Sequence, residues 1–451
     1  MIVLALILAA QVQDTSRLTI EGAARAALGQ YPTVGIARAA QSRALADVRE
    51  TRSQLLPHIT LDGSMTQFQY PMLVYPIHGF GNPNAVPPIL PPGKPVTFDR
   101  TLIQGSANLN WTLFDFGARR GRTNATRSLV EASDAALSSA EQALIARTAG
   151  AYLRVLSARQ TLAAQDRRIA SLAAESERTR RMLAEGKIAR LEVLRADAAL
   201  ARARAERAST AGQLDGAEHE LSQFTNRPWE RITRDTMTAV ALRDSGIAGI
   251  REQRGGLISQ ALETSPEITE ARHRADAAHA SERAAKATRL PEFRVNAGLV
   301  DRGGTGTEFL SEWQAGVGIS YPIYTGGQRN GAIDRARADA VSATESRRLA
   351  EANVASGVDR AIATVIETHA SVEALKVADE QSLAVAEIER TSLEVGSGTQ
   401  TDYLEALALA LQARSQLIQA RHTEIAARIE LARVTGVLTP DWLASNLESV
   451  P

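Results

Sequence analysis

Apolar and polar residues alternate along TLIQGSANLNWTLF, residues 101–114. Ile103, Ala107, Leu109, Trp111 and Leu113 fall on one face, and Gln104, Ser106, Asn108, Asn110 and Thr112 on the other. A period of two predicts a β-strand with one apolar side. EFLSEWQAGVGISYPIY (308–324) has the same pattern: Phe309, Trp313, Ala315, Val317, Ile319, Tyr321 and Ile323 oppose Glu312, Gln314 and Ser320. Weaker alternation in ITLDGSM and FRVNAGLV predicts two further strands, over 57–70 and 291–301.

Elsewhere the period lengthens. Val155, Leu162, Ile169 and Leu183 recur at heptad spacing, as do Val358, Val365 and Val372. This predicts long helices over 118–185 and 328–395 that pack side by side along thin apolar seams. At 1.5 Å of rise per residue each would be about 100 Å long. Helices of about half that length are expected after them, at 190–224 and 401–434, and before the strands, at 19–55 and 257–288. Thr19 is a fitting N-cap for the first, with a break near Pro32. A tube wall in which long helices alternate with stacked half-length pairs accommodates this set.

The whole plan occurs twice. Pro32 and Pro57 recur as Pro266 and Pro291, WTLFDFGARRG (111–121) lies on YPIYTGGQRNG (321–331), and FTNRP (224–228) lies on VTGVL (434–438). The turn EGKIARLEVLRAD (185–197) recurs as VGSGTQTDYLEAL (395–407). Copy one carries a Pro- and Gly-rich insertion at 70–95 where copy two has only RGGTGTE (302–308), which marks a surface loop. The expected organisation is repeat 1 over 18–228, an equatorial connector at 229–255, repeat 2 over 256–438 and a C-terminal tail at 439–451.

The strands could be ordinary hairpins packed on a core. Their length, alternation and terminal aromatics also suit a transmembrane β-barrel. Four strands cannot close one, and an open edge in lipid leaves backbone groups unpaired, so a membrane role requires oligomerisation. The apolar run MIVLALILAA is too short to span a bilayer and reads as the core of a signal peptide over 1–13.

Composition narrows the function. Lys plus Arg and Asp plus Glu both total 51, which argues against a nucleic-acid binder. Aromatics make up 4% of the chain, so a wide core of bulky side chains is not expected. There is no cysteine, hence no disulfide, thiolate metal site or lipidated N-terminal cysteine. His273 and His279 lie six apart, off a shared helical face, and EGKIA lacks the flanking residues of a phosphate loop. No metal, cofactor or catalytic constellation is expected.

RSQLLPHITLDGS (52–64), LNWTLFDFGARRGR (109–122), GAYLRVLSA (150–158) and AEGKIARLEVLRADAALARARAE (184–206) resemble segments of the TolC-like outer-membrane efflux and secretion channels. So do GISYPIYTGGQRNGAI (318–333) and EVGSGTQTDYLEALALALQAR (394–414). The resemblance covers nearly the whole chain. It implies a mainly α fold with a β-barrel part: a homotrimer with duplicated helical hairpins forming an α-barrel tunnel in the periplasm. Four strands per protomer would contribute to a twelve-stranded barrel in the outer membrane of a Gram-negative bacterium. The implied partners are outer-membrane lipid, a periplasmic adaptor and an inner-membrane RND or ABC-type pump. The chain would be the passive exit duct of a tripartite efflux pump or type I secretion system.

The resemblance assigns adaptor docking to Gly186, Ala189, Arg190 and Leu191 at the first tip and to Gly396, Thr399, Thr401 and Leu404 at the second. Asp402 and Glu405 match acidic positions that narrow the periplasmic entrance. Their first-copy partners are Glu192 and Arg195, so an acidic ring would come from copy two. Trp111, Leu113, Trp313, Ile319 and Tyr321 would face lipid or form an aromatic belt. Simpler roles stand beside these: C-cap glycines at 186 and 396, helix-start acids at 402 and 405, and ordinary strand aromatics. The alternative function is a periplasmic coiled-coil adaptor, which would need only one hairpin flanked by small β domains.

Overall fold

A computed structural model describes residues 17–74, 97–243, 247, 249–305 and 309–450. The segment read as a signal peptide and most of the Pro-rich insertion lie outside them. The chain runs α1 (Ile20–Gln30), α2 (Pro32–Ser53), β1 (His58–Val74), β2 (Thr97–Phe114), α3 (Ala118–Ala184), α4 (Arg190–Thr225), α5 (Trp229–Arg234) and β3 (Ala239–Leu242). It continues through α6 (Arg254–Thr264), α7 (Pro266–Ala287), β4 (Glu292–Gly304), β5 (Leu310–Ser320), α8 (Gln328–Glu394), α9 (Gln400–Val434), α10 (Pro440–Asn446) and β6 (Leu447–Val450). The fold is mainly helical, and α3 and α8 each run for 67 residues.

Prolines set several of these boundaries. Tyr31 and Ser265 are extended, as residues before proline tend to be, and Pro32 and Pro266 then open α2 and α7 at a position where a missing N–H is harmless. Thr19 caps α1, its hydroxyl accepting from the Gly22 amide at 3.0 Å.

The described residues divide into two compact units: those up to 39, from 134 to 270 and from 348 onward form one, and those from 40 to 133 and from 271 to 347 the other. The second unit carries a four-stranded antiparallel sheet of order β1-β2-β4-β5. The two hairpins have equivalent registers. His58 opposite Asn110 in one matches Glu292 opposite Ser320 in the other, and Leu61 opposite Ala107 matches Val295 opposite Val317. β5 ends at Ser320, so Tyr321 and Ile323 lie in the connection to α8 and not in the strand. Pro322 has no N–H to give a ladder and restricts the residue before it.

The first unit is built on small side chains. Its main cluster joins Ala149, Tyr152, Val155 and Leu156 of α3 with Ile425 and Ile429 of α9, Leu221 of α4 and Ile232 of α5. Tyr152 is fully buried, and its hydroxyl lies 2.7 Å from the carbonyls of both Leu18 and Thr238. One phenol thereby ties the start of the first repeat and the connector to the long helix. Arg159 adds a second tie: it pairs with the buried Glu218 at 2.7 Å and donates to the carbonyls of Ile232 and Asp235. The stretch expected to be a C-terminal tail is part of this core. Thr439 caps α10, Leu443 and Leu447 are buried, and β6 pairs with β3.

Tyr152→Phe keeps the packing and removes the shared proton from two buried carbonyls. The expected cost is about 1–3 kcal/mol, read as a lower midpoint for loss of helical circular dichroism in detergent. An unchanged midpoint would mean that those carbonyls find other donors.

Candidate functional site: the helical tips and the uncovered sheet face

The two tips are built alike. After α3, Gly186 takes a left-handed φ of 73°, its amide donates to the Leu183 carbonyl, and the Lys187 amide donates to Met182, both at 2.9 Å. After α8, Gly396 has φ 80°, with donation to Leu393 and from Ser397 to Ser392. Each tip is a Schellman stop in which glycine is the residue that adopts positive φ without a Cβ penalty. The second tip is more tightly wound: a Cβ on Gly398 would lie 2.9 Å from Cβ of Ser392.

The restarts differ. α4 begins after Ala189 with no side-chain cap, whereas α9 begins with a Thr399 side-chain cap. The Thr399 hydroxyl accepts from the Asp402 amide at 3.2 Å and donates to the Asp402 carboxylate at 2.6 Å. Asp402 is thus a helix-start acid by contact and is exposed, as is Glu405. Gly186, Ala189, Arg190, Leu191, Gly396, Thr399 and Thr401 are exposed as well. Leu404 is not free in the same way, because it packs against the cluster of Leu172, Leu200 and Ala203.

The structure joins the tips through Arg195 and Thr401, both named by the repeat comparison, and through Arg178, Glu175, Gln400 and Tyr403, which were not. Arg195 donates to the Thr401 hydroxyl at 2.7 Å while pairing with Glu192 at 3.1 Å. Arg178 pairs with the buried Glu175 at 2.7 Å and donates to the side-chain Oε1 of Gln400 at 3.3 Å. Tyr403 is buried beside them, and burial together with the Glu175 charge pushes its phenol above the ordinary value. Burial follows the duplication: Val193, Ala196, Leu200 and Ala203 of α4 match Tyr403, Ala406, Ala410 and Ala413 of α9. The signal for this network was the departure at matched positions, Val193 against Tyr403 and Arg195 against Glu405.

The sheet supplies the second feature. On one face the rows Ile59–Leu109–Ala297–Ala315 and Leu61–Ala107–Leu299–Trp313 run across all four strands. Among the described residues nothing covers this face: Leu61 is 83% exposed, Trp313 76% and Val317 74%. Ile319 is exposed on the same face. The opposite face is polar, with Asn108 donating to Asp62 at 3.1 Å and Arg302 paired with Glu312 at 2.9 Å.

At the end of the sheet nearest α3, Trp111 is half-buried and its indole N–H donates to the Leu55 carbonyl at 3.0 Å. Leu113 sits at a register shift, which brings Phe114 opposite Phe293 with ring centroids 6.3 Å apart. Strict alternation could not have assigned Phe114 to this face. Asp115 then starts α3, its carboxylate accepting from the Arg119 amide at 2.9 Å and guanidinium at 2.8 Å. Exposed Tyr321 and Tyr324 lie at the matching place before α8.

Among the described residues there is no helix long and apolar enough to cross a membrane and no cluster of potential metal ligands. A duplicated helical hairpin with joined tips, together with amphipathic strands whose apolar face is exposed, is the arrangement expected of the outer-membrane channel class. The chain belongs to the outer membrane efflux protein family, whose sequence model matches residues 23–227 and 257–437. It is 23% identical over 427 residues to the outer membrane protein TolC of Salmonella enteritidis, covering 92% of this chain and 81% of that one. It is 25% identical over 356 residues to the outer membrane efflux protein BepC of Brucella suis, covering 77% and 75%.

Among solved structures, the outer membrane protein VceC of Vibrio cholerae has the same fold, with TM-score 0.76, 18% identity and coverage of 92% and 96%. The CmeC outer membrane channel of Campylobacter jejuni matches with TM-score 0.76, 16% identity and coverage of 94% and 88%. The protein is therefore an outer-membrane exit duct with a periplasmic tunnel. Family membership sets the adaptor reading aside.

Arg178→Ala would strand the Glu175 carboxylate in a mostly buried place. The expected local loss is about 1–3 kcal/mol, seen as faster amide exchange around α3 and α9 near the tips, and restored in part by adding Glu175→Gln. Equal exchange in all three proteins would remove this pair from the tip's stability.

Proposed function

We propose that three copies of this chain close a twelve-stranded barrel in the outer membrane and that their helical tips gate the periplasmic entrance. The observation that carries the proposal is the uncovered apolar face on a sheet with two open edges. Such a face suits hydrocarbon, and such edges require partners. Trp111, Leu113, Trp313, Ile319 and Tyr321 supply the lipid-facing and interfacial contacts. Each of them is exposed or half-buried in the single chain.

At the tips, Asp402 and Glu405 from three copies would form a ring of carboxylates that favours cations and constricts the mouth. Their exposure and their place at the start of α9 support this role. The Arg195–Thr401 bond holds the two hairpins together when the mouth is narrow, and opening would separate them. Exposed Gly186, Ala189, Arg190, Leu191, Gly396, Thr399 and Thr401 offer the surface to which a periplasmic adaptor docks, and Leu404 supports it from beneath. An inner-membrane RND or ABC-type pump supplies the energy and selects the cargo, while this chain acts as a passive duct.

Replacing Asp402 and Glu405 together by Ala should raise single-channel conductance in planar bilayers and weaken cation preference. Unchanged conductance would leave the two acids with helix-start roles alone. Ala315→Arg places a cation on the apolar face, at a cost of about 2–4 kcal/mol per chain near the bilayer centre. Detergent-stable oligomers should then disappear from the outer-membrane fraction, and their persistence at the original level would argue that this face does not meet lipid.

A further inference from the structure

Each repeat contains a joint between half-length helices. The end of α4 meets the α1–α2 boundary, where Asn226 donates to the Gln30 side chain at 2.6 Å. The end of α9 meets the α6–α7 boundary, where the Thr264 hydroxyl donates to the Thr435 carbonyl at 2.6 Å. The copies diverge at the side chains around these joints. In the first, Tyr31 and Phe224 pack against each other with ring centroids 5.2 Å apart. Their counterparts in the second are Ser265 and Val434, and Arg147 of α3 has Gly357 of α8 as its counterpart. Three large side chains have given way to three small ones. At that place the second joint has a hollow of about 570 Å³ between α3, α7, α8 and α9, all within the first unit. This is a volume in which small molecules are commonly bound.

The lining has one unmet demand. Val354 and Ala361 of α8 and Val434 of α9 supply apolar surface. Most polar groups are satisfied from within: Gln142 donates to the Gly436 carbonyl at 3.0 Å, and Arg433 pairs with Glu430 at 2.6 Å. Glu267 lies in the first turn of α7, where the helix dipole favours a carboxylate. Arg360 is the exception. It stands where the first copy has Gly150. Among the described residues its one contact is a long donation, 3.4 Å, from Nε to the Ser356 carbonyl. Its terminal nitrogens are left for a ligand, and a guanidinium fork suits a carboxylate or sulfonate.

We infer that this hollow binds a small organic anion, with its charged group on Arg360 and its apolar body against Val354, Ala361 and Val434. A bound anion then ties α8 to the end of α9 in the wall of the duct. The site is distinct from the tips, because the 35 residues of α9 separate them, about 50 Å at 1.5 Å per residue. It is formed within one chain and stands whether or not the tips act as a gate.

The probe is 2-naphthoate, titrated calorimetrically into the full chain purified in a non-ionic detergent. Saturable binding at one site per chain is expected. Arg360→Gln should weaken it about tenfold or more. Ser265→Tyr combined with Val434→Phe restores the two rings of the first copy and should abolish binding while helical circular dichroism stays the same. The matching cation, 2-naphthylmethylammonium, should not bind. Absence of saturable binding, equal affinity in all three proteins, or equal binding of the cation would overturn the inference. Should the double variant lose helicity, 4-azidobenzoate photolabelling of the unmodified protein locates the site. Label is expected on the peptides containing Arg360 or Val434, and label confined to other peptides would refute it.

Discussion

A backbone N–H or C=O in hydrocarbon has no water to turn to, and most of this molecule follows from that. The four strands satisfy one another across three ladders and leave two edges that a single chain cannot pair. Their side chains sort to match, with hydrocarbon-like rows on one face and a hydrogen-bonded polar lining on the other. Among the described residues the single chain therefore leaves one unladdered strand edge on each side of the sheet and an apolar face between them.

The helical unit meets a different demand, to build a thin wall from long elements. Alanines at the buried positions of α3, α4 and α9 let helices lie close over many turns while the flanks remain polar. A wall of this kind has little bulky core, and directional contacts take on more of the work of fixing position. The Tyr152 hydroxyl between two carbonyls and Arg159 on Glu218 are such contacts. At the tips, repeated glycines stop the helices in the same way, but the restarts have diverged. One tip lacks a side-chain cap. The other locks Asp402 to Thr399 and receives Arg195 from its neighbour. The duplication places two equivalent turns at the tips, and different residues at matched positions make them unequal partners in one cluster.

Much of this was legible in the amino-acid order. Alternation along 101–114 and 308–324 indicated amphipathic strands, heptad spacing indicated long helices, and paired glycines indicated two matched turns. These signals are local, because a strand or helix repeats its environment every two or every three to four residues. The bulge at Leu113 was not legible, since a one-residue register shift leaves no mark in a pattern of apolar residues. The folding of 440–450 onto β3 was also missed, although Thr439 and Pro440 together are a helix-start signal.

The sequence by itself determined the family, the duplication and the amphipathic character of each element, because these depend on periods and on residues a few positions apart. Only the tertiary structure decided the contacts between distant residues. It set Leu404 into the Leu172–Leu200 cluster, carried Arg195 to Thr401 and buried Tyr403 beside Glu175 and Arg178. Those outcomes depend on how neighbouring helices rotate against one another, and a helix's own sequence shows which side is apolar without showing which partner will cover it.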